Sequence, residues 1–318
     1  MFNRRAVVAV AVMVMCVLVV PPAAYAGDSR LLPDLRQAPV GCSGGWAGDP
    51  AACTDWDVCM VVDGSAPNGE CRSAAPIGAV RLRFTTAEDN VGDGPLLLYG
   101  RRDRSTDPRM RVRQAFQTTD QESIPDSYAS AQRAIPAWKY YEPATMHQHW
   151  HTMGFAHFAL RTPGGGTVVT DRKNGFCLGD RYTTADAHLL PNAPLDDTSA
   201  AASLARFLRG NMCNHHQPAA LEVTGGISVG QGDDYRHTVD FQWLDITRVS
   251  SGLYDVINTV NADRTLLEKN YDNNTSSIAI SIEWPGGAHS PPANITQAPV
   301  VTLLRSCPGR AQCVALKR

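Results

Sequence analysis

The sequence predicts a mostly β protein: an antiparallel β-sandwich with long loops, one inserted helix and a small disulfide-rich N-terminal segment. Three observations support this class. Several segments alternate apolar and polar residues, only one segment has a helical apolar stripe, and no strand–helix–strand rhythm recurs along the 318 residues. Alternation with a period of two is typical of antiparallel sheets that bury one face.

The alternating segments define the predicted strands. Residues 77–84 and 278–284 show the strictest alternation, so each is expected to present one apolar face to a core. Further strands are predicted at 96–99, 155–160, 167–170, 237–243 and 253–260. In contrast, residues 101–137 are rich in Arg, Asp, Gln and Ser, and this composition predicts a long surface excursion.

One segment predicts a helix, from Asp196 to Arg209. Asp196 or Asp197 can cap its first turn, and Gly210 is a typical stop signal. The expected apolar stripe consists of Leu204, Phe207 and Leu208.

The N-terminus resembles a secretory signal peptide over residues 1–26. Arg4 and Arg5 precede an apolar run at 6–20, and Ala24-Tyr25-Ala26 matches a cleavage site. The apolar run is shorter than the ~20 residues that a spanning helix needs. We therefore expect a secreted, extracellular protein without stable membrane insertion. A formal charge of -2 and the lack of a basic cluster argue against nucleic acid as a partner.

Eight cysteines follow the signal peptide, and an even number in an exported chain predicts disulfides. Four of them crowd into residues 42–71, where the sequence leaves the pairing open. Cys307 and Cys313 can close a short C-terminal loop, which leaves Cys177 and Cys213 for each other.

Three histidines at alternate positions, His147, His149 and His151, are the strongest chemical signal. A strand would place all three imidazoles on one face, where they can bind a copper, zinc, iron or nickel ion. The alternative is a polar strand edge that happens to be rich in histidine. Only nine histidines occur in the chain, and three of them fall within five positions, so a metal site is favoured.

Several blocks resemble the catalytic domain of lysyl oxidases. The matching blocks are His-Gln-His-Trp-His-Thr-Met at 147–153, Phe-Ala-His-Phe at 155–158, Lys-Asn-Gly-Phe-Cys-Leu-Gly-Asp at 173–180, and Tyr-Arg-His-Thr-Val-Asp-Phe-Gln-Trp at 235–243. The resemblance covers roughly residues 31–285. It departs from the family at Met146 and Phe241, where the family usually has cysteines, and in the 42–71 segment.

The resemblance implies a copper amine oxidase. His147, His149 and His151 would bind Cu2+, and Lys173 and Tyr235 would join to form a lysine tyrosylquinone cofactor. The enzyme would convert a primary amine, either peptidyl lysine or a small amine, to an aldehyde, with dioxygen as oxidant and hydrogen peroxide and ammonia as products. The catalytic base is left open among His237, Asp171 and Asp180. His157 matches a family histidine near the site, with a packed strand residue as the alternative.

The expected domain organisation follows from these segments. A signal peptide occupies 1–26, a cysteine-rich segment 27–75, a lysyl oxidase-like catalytic domain 76–290, and a tail with a short disulfide loop 291–318.

Two other functions are compatible with the residues. The first is a non-catalytic extracellular module that keeps the metal site, which the immunoglobulin-like appearance of the C-terminal part favours. The second is a zinc hydrolase, for which Glu142 is the only carboxylate near the histidines in sequence. Taken alone, Lys173 would be a solvated loop charge, Tyr235 a half-buried aromatic, and the adjacent His215 and His216 would point in opposite directions on a strand.

Overall fold

The computed structural model describes residues 29–49, 53–74, 76–119, 123–171, 175–194 and 196–314. Within these ranges the chain forms twenty strands and one α-helix, and each pair of neighbouring strands is antiparallel. The mostly β, antiparallel class predicted from the sequence is therefore confirmed. The predicted signal peptide lies outside the described residues, and no described helix has the length and apolarity needed to cross a membrane.

The elements follow one another along the chain in this order: β1 (Arg30–Leu31), β2 (Leu35–Gln37), β3 (Trp56–Val61), β4 (Ala79–Phe84), β5 (Thr86–Asn90), β6 (Leu96–Arg101), β7 (Arg109–Ala115), β8 (Gln117–Thr118), β9 (Arg133–Glu142), β10 (His149–Met153), β11 (Ala156–Arg161), β12 (Thr167–Thr170), β13 (Gly175–Phe176), β14 (Tyr182–Thr183), α1 (Ala200–Arg209), β15 (Glu222–Ile227), β16 (Gln231–Tyr235), β17 (Trp243–Asp245), β18 (Gly252–Val260), β19 (Thr275–Glu283) and β20 (Val300–Cys307).

Two larger sheets and three smaller ones result. The six-stranded sheet has the order β13-β10-β9-β7-β6-β15, and the five-stranded sheet has the order β12-β11-β18-β19-β20. The smaller sheets are β14-β16-β5-β2, β17-β4-β3 and β1-β8. The histidine strand β10 thus belongs to the six-stranded sheet, whereas Tyr235 ends β16 in the four-stranded sheet.

A chain of aromatic rings crosses the core and links these sheets. The ring centroids of Phe84 and Phe158 lie 5.3 Å apart, those of Phe158 and Phe176 6.4 Å apart, and those of Phe176 and Tyr235 5.0 Å apart. The three phenylalanines are fully buried. Aromatic side chains contribute large buried areas and prefer such edge-to-face contacts. The core therefore fixes the position of Tyr235 through direct ring packing.

All eight cysteines after residue 26 form disulfides. The predicted bonds Cys177–Cys213 and Cys307–Cys313 are confirmed. The pairing that the sequence left open is Cys42–Cys53 and Cys59–Cys71.

The predicted surface excursion at 101–137 is wrong, because this segment contains β7, β8 and the first part of β9. In β7, Met110 and Val112 are buried whereas Arg109 and Arg111 face outward. The alternation was present in the sequence, but the charged outward residues made the segment look like a loop.

The predicted strand at 237–243 is also wrong. Only Trp243–Asp245 forms a strand, and the preceding residues turn back on themselves. Phe241 has a φ of 62°, which no β-strand residue adopts. Apolar and polar residues alternate in this segment, but the backbone forms a loop, so the apolar residues do not share one face.

The helix exists but begins later than predicted. Ser199, and not Asp196 or Asp197, is the N-cap, and its side chain accepts a hydrogen bond from Ala202 N. Asp196 instead accepts from the backbone N–H groups just before the helix. The buried face consists of Ala202, Ala205 and Leu208, while Phe207 is 54% exposed. Small residues line this face because α1 packs directly against β15.

Candidate metal centre and tyrosine site

Three imidazole nitrogens converge at the start of β10. His147 Nδ1 lies 3.3 Å from His149 Nε2, which lies 3.0 Å from His151 Nε2, and the third side of the triangle is 3.1 Å. Nitrogen ligands held at about 2.0–2.1 Å from one ion stand at separations of this size. The donor set therefore fits one transition-metal ion bound by three imidazoles.

The backbone brings these side chains together in a different way from the one predicted. His149 and His151 share one face of β10, but His147 lies in the turn before the strand, so a single strand face does not carry all three. A turn at 144–147 precedes the strand, and Gln148 between His147 and His149 has a φ of 46°, a left-handed conformation. The imidazoles converge because this turn folds His147 back over the strand.

The neighbours of His147 come from the loop 236–242, which joins β16 to β17. Asp240 Oδ2 lies 4.0 Å from His147 Nε2, the ring nitrogen that points away from the other two histidines. Both side chains are buried. The ring of Phe241 stacks over the His147 ring at 6.5 Å. A carboxylate behind a metal-binding imidazole is the arrangement that orients such ligands.

A fourth histidine, His215, lies beside His149 with ring centroids 6.2 Å apart. The sequence predicts no shared metal site for His215 and His216, because neighbours on a strand point in opposite directions. The segment is not a strand, and His216 N donates to Gln148 O at 2.8 Å, which anchors the segment beside the histidine turn. Positive φ angles occur in it at Cys213, Asn214 and His216.

Tyr235 is half-buried at the end of β16, and its hydroxyl has two acceptors. Tyr235 Oη lies 2.8 Å from the carbonyl oxygen of Cys177 and 2.8 Å from Asp233 Oδ2. Burial, followed by the negative charge of Asp233, raises the pKa of Tyr235 well above its usual value. Burial also raises the pKa of Asp233 to about 8, although Arg181 Nε at 3.5 Å opposes the shift. The half-buried phenol and the fully buried carboxyl therefore form a hydrogen-bonded pair.

The two-residue strand β13 connects the histidines with the tyrosine. Gly175 pairs with Met153 of β10, and a Cβ atom at position 175 would lie 2.6 Å from His151 Cβ. Only glycine allows this close approach. The next residue, Phe176, packs against Tyr235. Lys173, the other predicted cofactor residue, precedes Gly175 by two positions and lies outside the described residues.

His157 and the three candidate bases lie on different elements. His157 lies on β11, where Asp171 and Asp263 are 4.0 and 3.9 Å from its ring nitrogens. The nearby Asp171 carboxylate raises the pKa of His157. Asp171 also accepts from Phe158 N at 2.6 Å.

The other two candidates have structural partners as well. Asp180 is buried, accepts from Ser228 N at 2.8 Å, and has its pKa raised to about 6 by burial. His237 follows Tyr235 by two residues, and its Nδ1 lies 2.8 Å from Asp55 Oδ1. Asp55 belongs to the cysteine-rich segment.

A buried amine that the sequence does not predict lies near the histidine strand. Lys139 of β9 is fully buried, and its Nζ donates to Thr152 Oγ1 at 2.6 Å. Because Thr152 follows His151, this bond lies on the opposite face of β10. Burial lowers the pKa of Lys139 to about 7. Gly100 leaves room for this side chain, because a Cβ at position 100 would lie 2.6 Å from Lys139 Cδ.

Part of the chain is similar in sequence to lysyl oxidases. The family model described as Lysyl oxidase matches residues 201–285, which include Tyr235. Human lysyl oxidase homolog 3 is 31% identical over 139 residues, 43% of this chain and 15% of the human protein. Lysyl oxidase homolog 2 of Xenopus laevis is 30% identical over 139 residues, and human lysyl oxidase homolog 4 is 31% identical over 129 residues.

These alignments are partial. The matched stretch spans 14–15% of the length of these three relatives and 40–43% of this chain. The similarity therefore concerns one region of much longer proteins.

Proposed function

We propose that this chain, which belongs to the lysyl oxidase family, is a secreted copper-dependent amine oxidase that converts primary amines to aldehydes. The observation that carries the proposal is the triangle of ring nitrogens from His147, His149 and His151, next to the loop that follows Tyr235. A polar strand edge would not need three imidazoles to point at one another.

His147, His149 and His151 would hold Cu2+, for which imidazole is a suitable ligand. Lys173 and Tyr235 would form the lysine tyrosylquinone cofactor. When bound, copper and this quinone supply the oxidation of the amine, with dioxygen as final oxidant and hydrogen peroxide and ammonia as products. The order of these residues along the chain and the hydrogen bond of Tyr235 to the fully buried Asp233 both support this assignment.

Cys177 and Asp233 would position the Tyr235 ring and move its proton. Cys177 O and Asp233 hold the phenol oxygen from two directions, which fixes the rotation of the ring about the end of β16. Because the pKa of Asp233 is raised to about 8, its carboxyl can accept and return a proton at Tyr235 Oη near neutral pH.

Aromatic packing limits the entry of water on one side of the site. Phe176 contacts Tyr235 edge-on, and Phe155 packs against Phe176 at 5.5 Å. On the other side, Asp240 lies behind His147 and would orient its ring toward the ion.

The substrate would be a primary amine, either peptidyl lysine or a small amine. In the proposed organisation the catalytic domain occupies 76–290, after a signal peptide at 1–26 and the cysteine-rich segment at 27–75, with a C-terminal tail at 291–318. The four disulfides are consistent with an extracellular location.

The decisive experiment is peptide mapping of copper-loaded protein after aerobic incubation. We expect a crosslinked peptide that joins Lys173 to Tyr235, an absorbance that phenylhydrazine traps, and peroxide production from primary amines. The Tyr235→Phe variant, in which no crosslink can form, is the control. If copper binds but Lys173 and Tyr235 stay unmodified, the chain is a non-catalytic metal-binding module.

A further inference from the structure

The loop 236–242 lies between the metal centre and the cysteine-rich segment. On its inner side it presents Asp240 and Phe241 to His147. On its outer side it contacts the turn 63–69, which lies between β3 and β4. The two strands that flank this turn belong to the small three-stranded sheet β17-β4-β3.

Two residues of the turn hold the loop directly. Asn68 Nδ2 donates to Thr238 O at 2.8 Å. Pro67 O accepts from Phe241 N at 2.8 Å and from Trp243 Nε1 at 2.9 Å. Phe241 is the residue with positive φ, a backbone conformation that persists in a bulky residue only where its surroundings impose it. Pro67 supplies one of the bonds that impose it.

A second point of attachment lies at the start of the loop. His237 Nδ1 lies 2.8 Å from Asp55 Oδ1, and His237 N donates to Thr85 Oγ1 at 3.0 Å. The Thr85 hydroxyl in turn donates to Asp55. The loop is therefore held at both ends by residues that precede β5 in the chain.

Asn68 also reaches the histidine turn itself. Its Nδ2 lies 3.4 Å from Met146 Sδ, and Met146 is the residue immediately before His147. One side-chain amide thus contacts both segments that define the position of His147, namely the turn that carries it and the loop that packs on its ring.

A disulfide and a buried arginine hold the turn 63–69 in place. The disulfide Cys59–Cys71 closes it covalently. Arg81 is buried, and its Nη2 donates to Ala66 O at 2.6 Å while its guanidinium lies 4.0 Å from the centroid of the Trp243 ring. A rigid support of this kind allows the turn to fix its neighbours.

We propose that the cysteine-rich segment is a positioning element of the metal centre, in which Pro67 and Asn68 hold the loop 236–242 against His147. The segment thereby sets the orientation of the His147 ring through Asp240 and Phe241. The assignment of His147 as a metal ligand rests on the proposed function, whereas the contact between turn and loop does not.

The test compares Asn68→Ala with Ser65→Ala. Ser65 belongs to the same turn, is exposed, and donates to Asp63 Oδ1 through its N–H and its hydroxyl. Amide hydrogen exchange of the metal-free protein is measured on peptides that cover 236–242 and 145–149. We expect exchange in both peptides to rise about tenfold in Asn68→Ala, the change that the loss of one well-placed hydrogen bond produces. Ser65→Ala should match the wild type.

A second readout addresses the metal. Cu2+ affinity is measured by competition with a chelator, and the electron paramagnetic resonance spectrum reports the ligand geometry. Asn68→Ala should weaken binding about tenfold, within the range typical of residues behind metal ligands, and should change the spectrum. Asn68→Gln, which keeps an amide donor, should recover part of the affinity. The thermal midpoint is measured alongside, because a merely structural role would lower it without altering the copper spectrum.

The possible results separate the two proposals. If exchange and copper spectrum in Asn68→Ala equal those of the wild type, the positioning role is overturned while the amine oxidase proposal stands. If the wild type binds no copper, the proposed function fails, and faster exchange in Asn68→Ala still establishes that the turn holds the loop.

Discussion

Asp233 and Tyr235 project from the same face of β16, and the Tyr235 hydroxyl donates a 2.8 Å hydrogen bond to Asp233 Oδ2. Asp233 is fully buried, so this carboxyl can exchange protons only with the few groups around it. The neighbouring Asp234 alternates to the other face of the strand and is half-buried. Asp234 is therefore a matched control for substitutions of Asp233, because Asp233 is the one of the two that contacts the Tyr235 hydroxyl from this strand face.

Replacing Asp233 by Asn should slow the formation of the Lys173–Tyr235 crosslink about 100-fold, the typical loss when a group that takes up a proton is removed. The amide keeps the shape and can still accept a hydrogen bond from Tyr235, but it cannot hold the phenolic proton. The rate is followed by mass spectrometry of the crosslinked peptide. Equal rates in Asp233→Asn and Asp234→Asn would contradict this role.

The histidine triangle predicts an unequal effect of two histidine substitutions. His149→Ala removes a nitrogen that lies within 3.3 Å of both others and should abolish tight Cu2+ binding. His215→Ala removes a ring 6.2 Å from that of His149 and should weaken binding by at most about 10–100-fold. Both affinities come from chelator competition. A larger loss in His215→Ala than in His149→Ala would show that the metal lies elsewhere.

Lys139 predicts a specific pH dependence of stability. Its pKa is about 7 in the folded protein and 10.5 in the unfolded chain, so between these values the unfolded state binds more protons. The wild type should therefore gain stability relative to Lys139→Met as pH rises from about 7 to 10, by at most about 1.4 kcal/mol per pH unit. Urea unfolding of both proteins at several pH values measures the difference. A constant difference across that range would show that Lys139 is charged in the fold.

Gly175 predicts a steric effect that reaches the histidines. In Gly175→Ala the new methyl group would lie 2.6 Å from His151 Cβ and Nδ1, so β13 and β10 must separate. We expect a loss of about 1–3 kcal/mol in unfolding free energy and weaker Cu2+ binding. Gly164→Ala is the control, because its Cβ would meet only Thr162 Oγ1 at 3.9 Å. Unchanged copper affinity in Gly175→Ala would show that β13 does not constrain His151.

Much of the fold was predictable because it depends on local periodicity. The strict alternation at 278–284 corresponds to β19, and Leu253–Val260 falls within β18. The segment 101–137 was missed because alternation and composition gave opposite indications there. Charged residues on the outer face of β7 lowered the apolar content of a strand whose inner residues are buried.

The candidate site was only partly predictable, for a different reason. The convergence of the imidazoles depends on the positive φ of Gln148, and the approach of His215 depends on a run of left-handed residues. A positive φ at a non-glycine residue cannot be recognised from the sequence. Likewise, the contact between Asn68 and Thr238 joins positions that no local pattern relates.

That contact spans 170 positions, and the bond from Trp243 to Pro67 spans 176. Contacts between such distant positions form late as a chain folds, because closing long loops costs entropy before any contact compensates for it. The surroundings of His147 would therefore be completed only after both distant parts of the chain have come together. Copper delivered earlier would meet flexible imidazoles, so metal uptake would be expected to follow folding and to leave the folding step itself largely unchanged.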